Sequence, residues 1–98
     1  MANAYEIVEK AAKTGKVERG VNEVTKTLER GVAKAVIVAK DVNPKEIVQH
    51  LPILAKEKGI KYAEVDSKEK LGISSGISVA TSAVAIIKEG EADLSALE

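Results

Sequence analysis

A three-layer α/β/α sandwich built on a small mixed β-sheet of about four strands is the fold that this 98-residue α/β sequence predicts. Two observations lead there. The runs Ala35-Val36-Ile37-Val38-Ala39 and Ser82-Ala83-Val84-Ala85-Ile86-Ile87 are apolar without alternation, the pattern of strands buried on both faces. Segments of helical period alternate with such strands, so helices must cover both sides of the sheet. The length makes a single domain over residues 1–98, with one modest core.

Taken in order, Asn3 and Glu6 look like an N-cap with its reciprocal acid. They open a first helix over about residues 4–14, with Ile7, Val8 and Ala11 on one side and Gly15 as its cap. Residues 16–19 read as a brief strand or a loop. A second helix starts at Val21 or Asn22 and reaches Arg30, burying Val21, Val24, Thr25 and Leu28, and Gly31 ends it. After the strand at 35–39, Asn43-Pro44-Lys45-Glu46 is a dense helix start, and Ile47, Val48, Leu51, Leu54 and Ala55 keep the period toward Gly59. Pro52 lies inside that helix and is expected to bend it. Residues 60–65 form the next strand, Asp66 or Ser67 caps a helix of one or two turns ending at Leu71-Gly72, and residues 73–80 are a small-residue loop or short helix. The strand at 82–87 follows, and residues 89–98 are expected to be a frayed acidic tail.

Composition removes several classes of function. With no Cys there is neither disulfide nor thiolate chemistry nor a zinc ribbon, and with a single His a metal site is not expected. Two Tyr and no Phe or Trp leave an aliphatic core and argue against a platform that stacks single-stranded bases on aromatic rings. No apolar run approaches a membrane span, and the first residues lack the basic and apolar regions of a signal peptide. A cytoplasmic protein without a membrane partner is expected. Formal net charge is zero, which counts against strong nonspecific binding of polyanions. The charge is nevertheless segregated: seven cations face three carboxylates between Lys10 and Lys34, while residues 89–98 carry four carboxylates and no cation.

The positive part surrounds Arg19-Gly20-Val21-Asn22-Glu23-Val24-Thr25-Lys26, which puts an amide, a carboxylate and an ammonium at the opening of a helix. Lys26 follows Asn22 by four residues and Glu23 by three, so all three share one surface. A base edge needs neighbouring donors and acceptors, and a phosphate needs a cation. The competing interpretation is that Asn22 is only a helix N-cap and Lys26 only a solvated charge. Catalytic chemistry finds little support. His50, the sole histidine, is expected to be structural, and the carboxylates are scattered through Lys-rich helices. No phosphate-cradling glycine pattern is present; Gly72 and Gly76, with Ser74 and Ser75 between, form either an anion-wrapping turn or a mobile surface loop. The protein is not expected to be an enzyme, and no cofactor is expected.

The stretch Thr14-Gly15-Lys16-Val17-Glu18-Arg19-Gly20-Val21-Asn22-Glu23-Val24-Thr25-Lys26, then Glu29-Arg30-Gly31-Val32-Ala33-Lys34, resembles the kink-turn-binding ribosomal proteins of archaea (the L-seven-Ae and L-thirty-e type). The resemblance continues through Val36-Ile37-Val38-Ala39, Asp41-Val42, Pro44-Lys45-Glu46, His50-Leu51-Pro52, Leu71-Gly72 to Gly76 and the last strand, roughly residues 5–90. It implies binding to a kink-turn, a sharply bent RNA helix with a short bulge beside tandem sheared G·A pairs. Asn22 and Glu23 would contact the guanines of those pairs, and Lys26 would hold a guanine or a nearby phosphate. Gly20 would allow close approach, and Lys16, Arg19 and Arg30 would face converging phosphates. Ile77, Ser78 and Val79 would pack on the flipped bulge nucleotide, with residues 64–67 nearby. An intact A-form major groove is too narrow for side chains, so such a helix needs the deformation that a kink supplies.

The partners implied are ribosomal RNA of the large subunit, guide RNAs of C/D and H/ACA particles, ribonuclease P RNA, and the protein subunits of those particles. The free chain is expected to be a monomer. Many relatives have a longer N-terminal lead and a further packed helix at the end, for which residues 91–98 are too few and too acidic. A protein-interaction domain of the same fold, without kink-turn specificity, is the alternative favoured by the neutral charge and acidic tail.

Overall fold

A computed structural model describes residues 4–42 and 49–97. Helix α1 (Ala4–Thr14) leads into strand β1 (Lys16–Arg19) and helix α2 (Val21–Arg30), followed by β2 (Ala35–Ala39), α3 (His50–Glu57), β3 (Lys61–Val65), α4 (Lys68–Ser74) and β4 (Ala83–Lys88). The strands lie in the order β1-β4-β2-β3, with β4 antiparallel to both its neighbours and β2 parallel to β3. Helices α1 and α4 pack together on one side of this sheet, and α2 and α3 on the other. The three-layer sandwich with a mixed four-stranded sheet is the predicted one.

Burial explains the order of the strands. All five residues of β2 and the first four of β4 are buried, as befits the two central strands. In the edge strand β3 only Ala63 and Val65 are buried, and in the edge strand β1 only Val17. Ile7, Val8 and Ala11 of α1 are buried as expected; on α2 the buried set is Val24, Thr27 and Leu28. Val21 and Thr25, expected inside, are only half-buried. The Thr27 hydroxyl tolerates the interior by donating to the Val24 carbonyl at 2.7 Å. Full burial of a Leu such as Leu28 contributes about 1.5–3 kcal/mol, so this stripe anchors α2 to the sheet.

Three local expectations need correction. Residue 49 is a turn and α3 begins at His50, so Pro52 falls in the first turn and not inside the helix as expected, at a place where a missing N–H costs no intrahelical bond. The expected capping residues Asn43, Pro44 and Glu46, and the apolar Ile47 and Val48, lie outside the described residues, as does Asn3. The short helix α4 extends to Ser74, two residues past the expected end at Gly72.

The acidic tail is the third, over the part described. Apolar residues interleaved with the acids return to the core: Ala92 and Leu97 are buried, and residues Leu94–Ala96 make a single 3-10 turn capped by Asp93. The Glu91 N–H donates to the Thr14 hydroxyl at 2.8 Å, and Lys34 meets Glu89 at 2.8 Å.

The start of α4 is tied down by three side chains from separate parts of the chain. Ser67 caps it by accepting the Lys70 N–H at 3.2 Å, and the Asp41 carboxylate accepts the Lys68 N–H at 2.9 Å. The Tyr5 hydroxyl accepts the Ser67 N–H at 3.0 Å and donates to the Asp66 carboxylate.

Candidate nucleic-acid interface

The start of α2 is built differently. Gly20 leaves β1 with φ 92° and ψ 150°, a region populated essentially by glycine alone. Its N–H donates to the Ala83 carbonyl at 2.9 Å, which docks the turn on the beginning of β4. The helix therefore begins at Val21, with Gly20 in the cap position and no side chain to occupy the first turn. Its first intrahelical bond runs from the Val24 N–H to the Gly20 carbonyl at 2.9 Å. The N–H groups of Val21, Asn22 and Glu23 thus precede the helical ladder, at the positive end of its dipole.

Asn22 is accordingly the second residue of the helix and not its cap. Its side chain is exposed and makes no hydrogen bond with other described residues. Glu23 and Lys26 are paired at 3.6 Å, each with about half of its side chain exposed (52% and 56%). An ion pair so solvated is worth about 0–1 kcal/mol, so a ligand that offers better partners opens it at little cost. Asn22, Glu23 and Lys26 are all exposed, as the spacing predicts.

The second predicted element arrives at the same corner. Arg19, the last residue of β1, stands opposite Val84 at the start of β4, so the turn into α2 and the loop into β4 are neighbours. Of the predicted loop residues, Ile77 is half-buried while Ser78 and Val79 are exposed, Val79 by 65%. The loop is seated on α4: the Ile77 N–H donates to the Gly72 carbonyl at 3.1 Å. A Cβ on Gly72 would stand 2.0 Å from the Val79 carbonyl oxygen, so only glycine admits the loop there. Arg19 joins the two elements. Its Nε donates to the Ser75 carbonyl at 3.0 Å and to the Ser75 hydroxyl at 3.2 Å, and its Nη2 donates to the same carbonyl.

The remaining cations are not gathered at this corner. Lys16, at the far end of β1, pairs with Lys88, and Arg30 closes α2, about 13 Å of helix rise beyond Val21. Lys16, Lys26 and Arg30 instead line a shallow cleft of about 150 Å³ with Glu18, Glu23, Thr27, Val32 and Ile87. The sequence-predicted residues therefore form two groups, a corner at Gly20, Asn22 and the 77–79 loop, and a charged cleft along α2, with Glu23 and Lys26 where they meet.

Sequence reasoning put Ser75 in an anion-wrapping turn or a mobile surface loop, and gave Ile73 no role. Ser75 is fully buried, and Ile73 is the most exposed large apolar side chain described, at 68%. Neither position carries a signal in the linear sequence beyond the small-residue character of its neighbourhood.

His50 is held by α2: its Nε2 lies 2.8 Å from the Thr25 hydroxyl, whose proton goes to the Val21 carbonyl at 2.7 Å. The contact is a helix-to-helix tie. A larger hollow of about 350 Å³ lies among Val38, Ala39, Lys40, Gln49, Pro52, Tyr62 and Glu64 and contains none of the predicted site residues. Desolvation, reinforced by the Glu64 carboxylate it donates to at 3.0 Å, pushes the Tyr62 phenol well above its ordinary range. Among the described residues no group of three or more His, Cys, Asp or Glu is placed to hold a metal ion, and no helix is long and apolar enough to cross a membrane.

Comparison with known proteins bears on this arrangement. The sequence matches the ribosomal protein L7Ae/L30e/S12e/Gadd45 family over residues 2–95. Among solved structures it is similar to a Giardia lamblia 15.5kD RNA binding protein, with 36% identity and a TM-score of 0.78, covering 95% of this chain and 80% of that one.

Proposed function

Because the chain belongs to the ribosomal protein L7Ae/L30e/S12e/Gadd45 family, we propose that it is an RNA-binding protein that recognises and stabilises kink-turns. The observation that carries the proposal is the helix start at Gly20, which leaves Asn22 without a capping duty and Glu23 in an easily opened pair. A carboxylate gains nothing from phosphate. Beside an amide, it gains much from the donor groups of a guanine edge. Lys26 holds a guanine or a phosphate next to them. The exposed loop residues Ser78 and Val79, with Ile77, pack on the extruded bulge nucleotide without needing aromatic rings. Lys16 and Arg30, along the cleft, follow the phosphates of the adjoining stem.

The same reading makes the protein a cytoplasmic large-subunit component and a core subunit of C/D and H/ACA guide-RNA particles and of ribonuclease P. It acts there as a non-enzymatic scaffold, monomeric when free, that recruits other subunits to the bent RNA. The test is a titration of donor–acceptor-labelled kink-turn RNA beside a copy whose G·A pairs are replaced by Watson–Crick pairs. Tight binding with rising energy transfer on the first RNA alone is expected. Equal, weak, salt-sensitive binding to both would overturn specificity and leave a protein-interaction domain of the same fold.

A further inference from the structure

We infer that Arg19 is a positioning residue, which sets the spacing between the guanine-reading start of α2 and the 77–79 loop, and is not itself a phosphate ligand. The inference rests on the kink-turn reading for its effect on RNA, and on geometry alone for the clamp.

Two of the three guanidinium nitrogens of Arg19 are already engaged. Its Nε and Nη2 both donate to the Ser75 carbonyl, with the Ser75 hydroxyl as a second acceptor for Nε. That carbonyl belongs to the residue capping the C-terminus of α4, where the helix leaves its last carbonyls unsatisfied and favours a cation. Ser75 is itself immobilised: it is fully buried, and its hydroxyl donates to the Gly72 carbonyl at 2.9 Å. The clamp therefore grips a fixed point.

The chain then turns over the guanidinium. Gly76 has φ 92°, and a Cβ there would lie 3.6 Å from Arg19 Nη2. Ile77 and Val79 follow directly, seated on Gly72. On its other side, Arg19 is the residue before Gly20, whose N–H is bonded to Ala83. One side chain thus connects the residue before the α2 turn with the residue before the loop's own turn, across 56 positions of sequence. A lysine in its place would keep the charge but not the planar fork that meets one acceptor from two nitrogens.

The test compares wild type, Arg19→Lys, Arg19→Ala, Val79→Ala and the Arg19→Lys/Val79→Ala pair. Amide hydrogen exchange on the RNA-free proteins is read first. Faster exchange at residues 76–80 in Arg19→Lys, with α2 unchanged, is expected, and unchanged loop exchange overturns the clamp. Titration with kink-turn RNA across a salt series is read second. Arg19→Lys is expected to lose about tenfold in affinity with the wild-type salt slope, and to cost less than about threefold once Val79→Ala has removed the loop contact, since coupled sites are not additive.

A phosphate ligand would behave otherwise. Lysine would rescue binding, Arg19→Ala would flatten the log–log salt slope by about 0.7–0.9, and the two losses would multiply. Those outcomes overturn the inference. Should Arg19→Ala fail to fold, the lysine variant alone decides. A loosened loop in a protein that prefers no kink-turn RNA would defeat the proposed function and leave the clamp standing.

Discussion

Helix α4 begins with first-turn N–H groups taken by Asp41 and Ser67, and with Tyr5 holding the Ser67 cap, whereas α2 begins from a bare glycine with Asn22 and Glu23 turned to solvent. Both helices start just after an edge strand, so the difference lies in side chains and not in topology. At α4 the orphan N–H groups are used to hold the protein together. At α2 the equivalent groups, and the Asn22 side chain beside them, take no partner among the described residues. The proposed function puts RNA at that open start.

The comparison breaks most visibly if the α2 residues prove idle. Asn22→Ala and Glu23→Ala are each expected to cost about 1–3 kcal/mol in kink-turn affinity and to blur discrimination against altered G·A pairs. Their urea midpoints should stay close to wild type, because neither side chain supports the fold. Gly20→Ala sharpens the contrast from the stability side. Nothing lies within 4 Å of the added Cβ, so the expected loss of about 1–3 kcal/mol is purely that of a backbone conformation denied to alanine. An unchanged Tm would mean the turn can adopt another shape.

Ser67→Ala is the mirror experiment. It should remove about 1 kcal/mol of stability as a lost helix cap, with RNA affinity unaltered. The smallest effect concerns acid. The hydrogen bond from Tyr5 holds the Asp66 carboxyl below its ordinary range, with Lys70 and Lys40 adding to the effect. The folded state therefore binds fewer protons than the unfolded one, and this contribution, present above the ordinary carboxylate pKa, is lost as pH falls through the depressed value. Tyr5→Phe should lose less stability over that acid range than wild type. Parallel acid branches in pH-resolved melts would assign the bond no linkage.

How much of this was legible depended on whether the deciding contact was local. Strand β2 could be read outright, because its apolar run is too short for a helix and is β-branched at Val36, Ile37 and Val38. The start of α2 was read to within a residue, at Val21 or Asn22, but not what caps it, since Asn22 is a good cap by type and only the unusual conformation of Gly20 puts the cap ahead of it. Thr25 was expected inside and Thr27 was not; the Thr25 hydroxyl is engaged by His50 from another helix, and the buried Thr27 satisfies its own against Val24. The tail at 89–97 looked frayed from its charge, but Ala92 and Leu97 have a core to return to that local composition does not announce. Arg19 looked like one more cation beside a phosphate site, and its partner Ser75 lies too far along the chain for any spacing rule to find.

That separation also orders events in time. The turn into α2 is docked by Ala83, and the loop is held to Arg19 at Ser75, so a chain emerging during synthesis carries Asn22 and Glu23 long before the residues that fix them in place. Contacts of such long range form late in folding. The corner around Asn22 and Glu23 is therefore complete only when β4 has entered the sheet beside β1, and a nascent chain that ends before Ala83 carries α2 without the residue that docks its first turn.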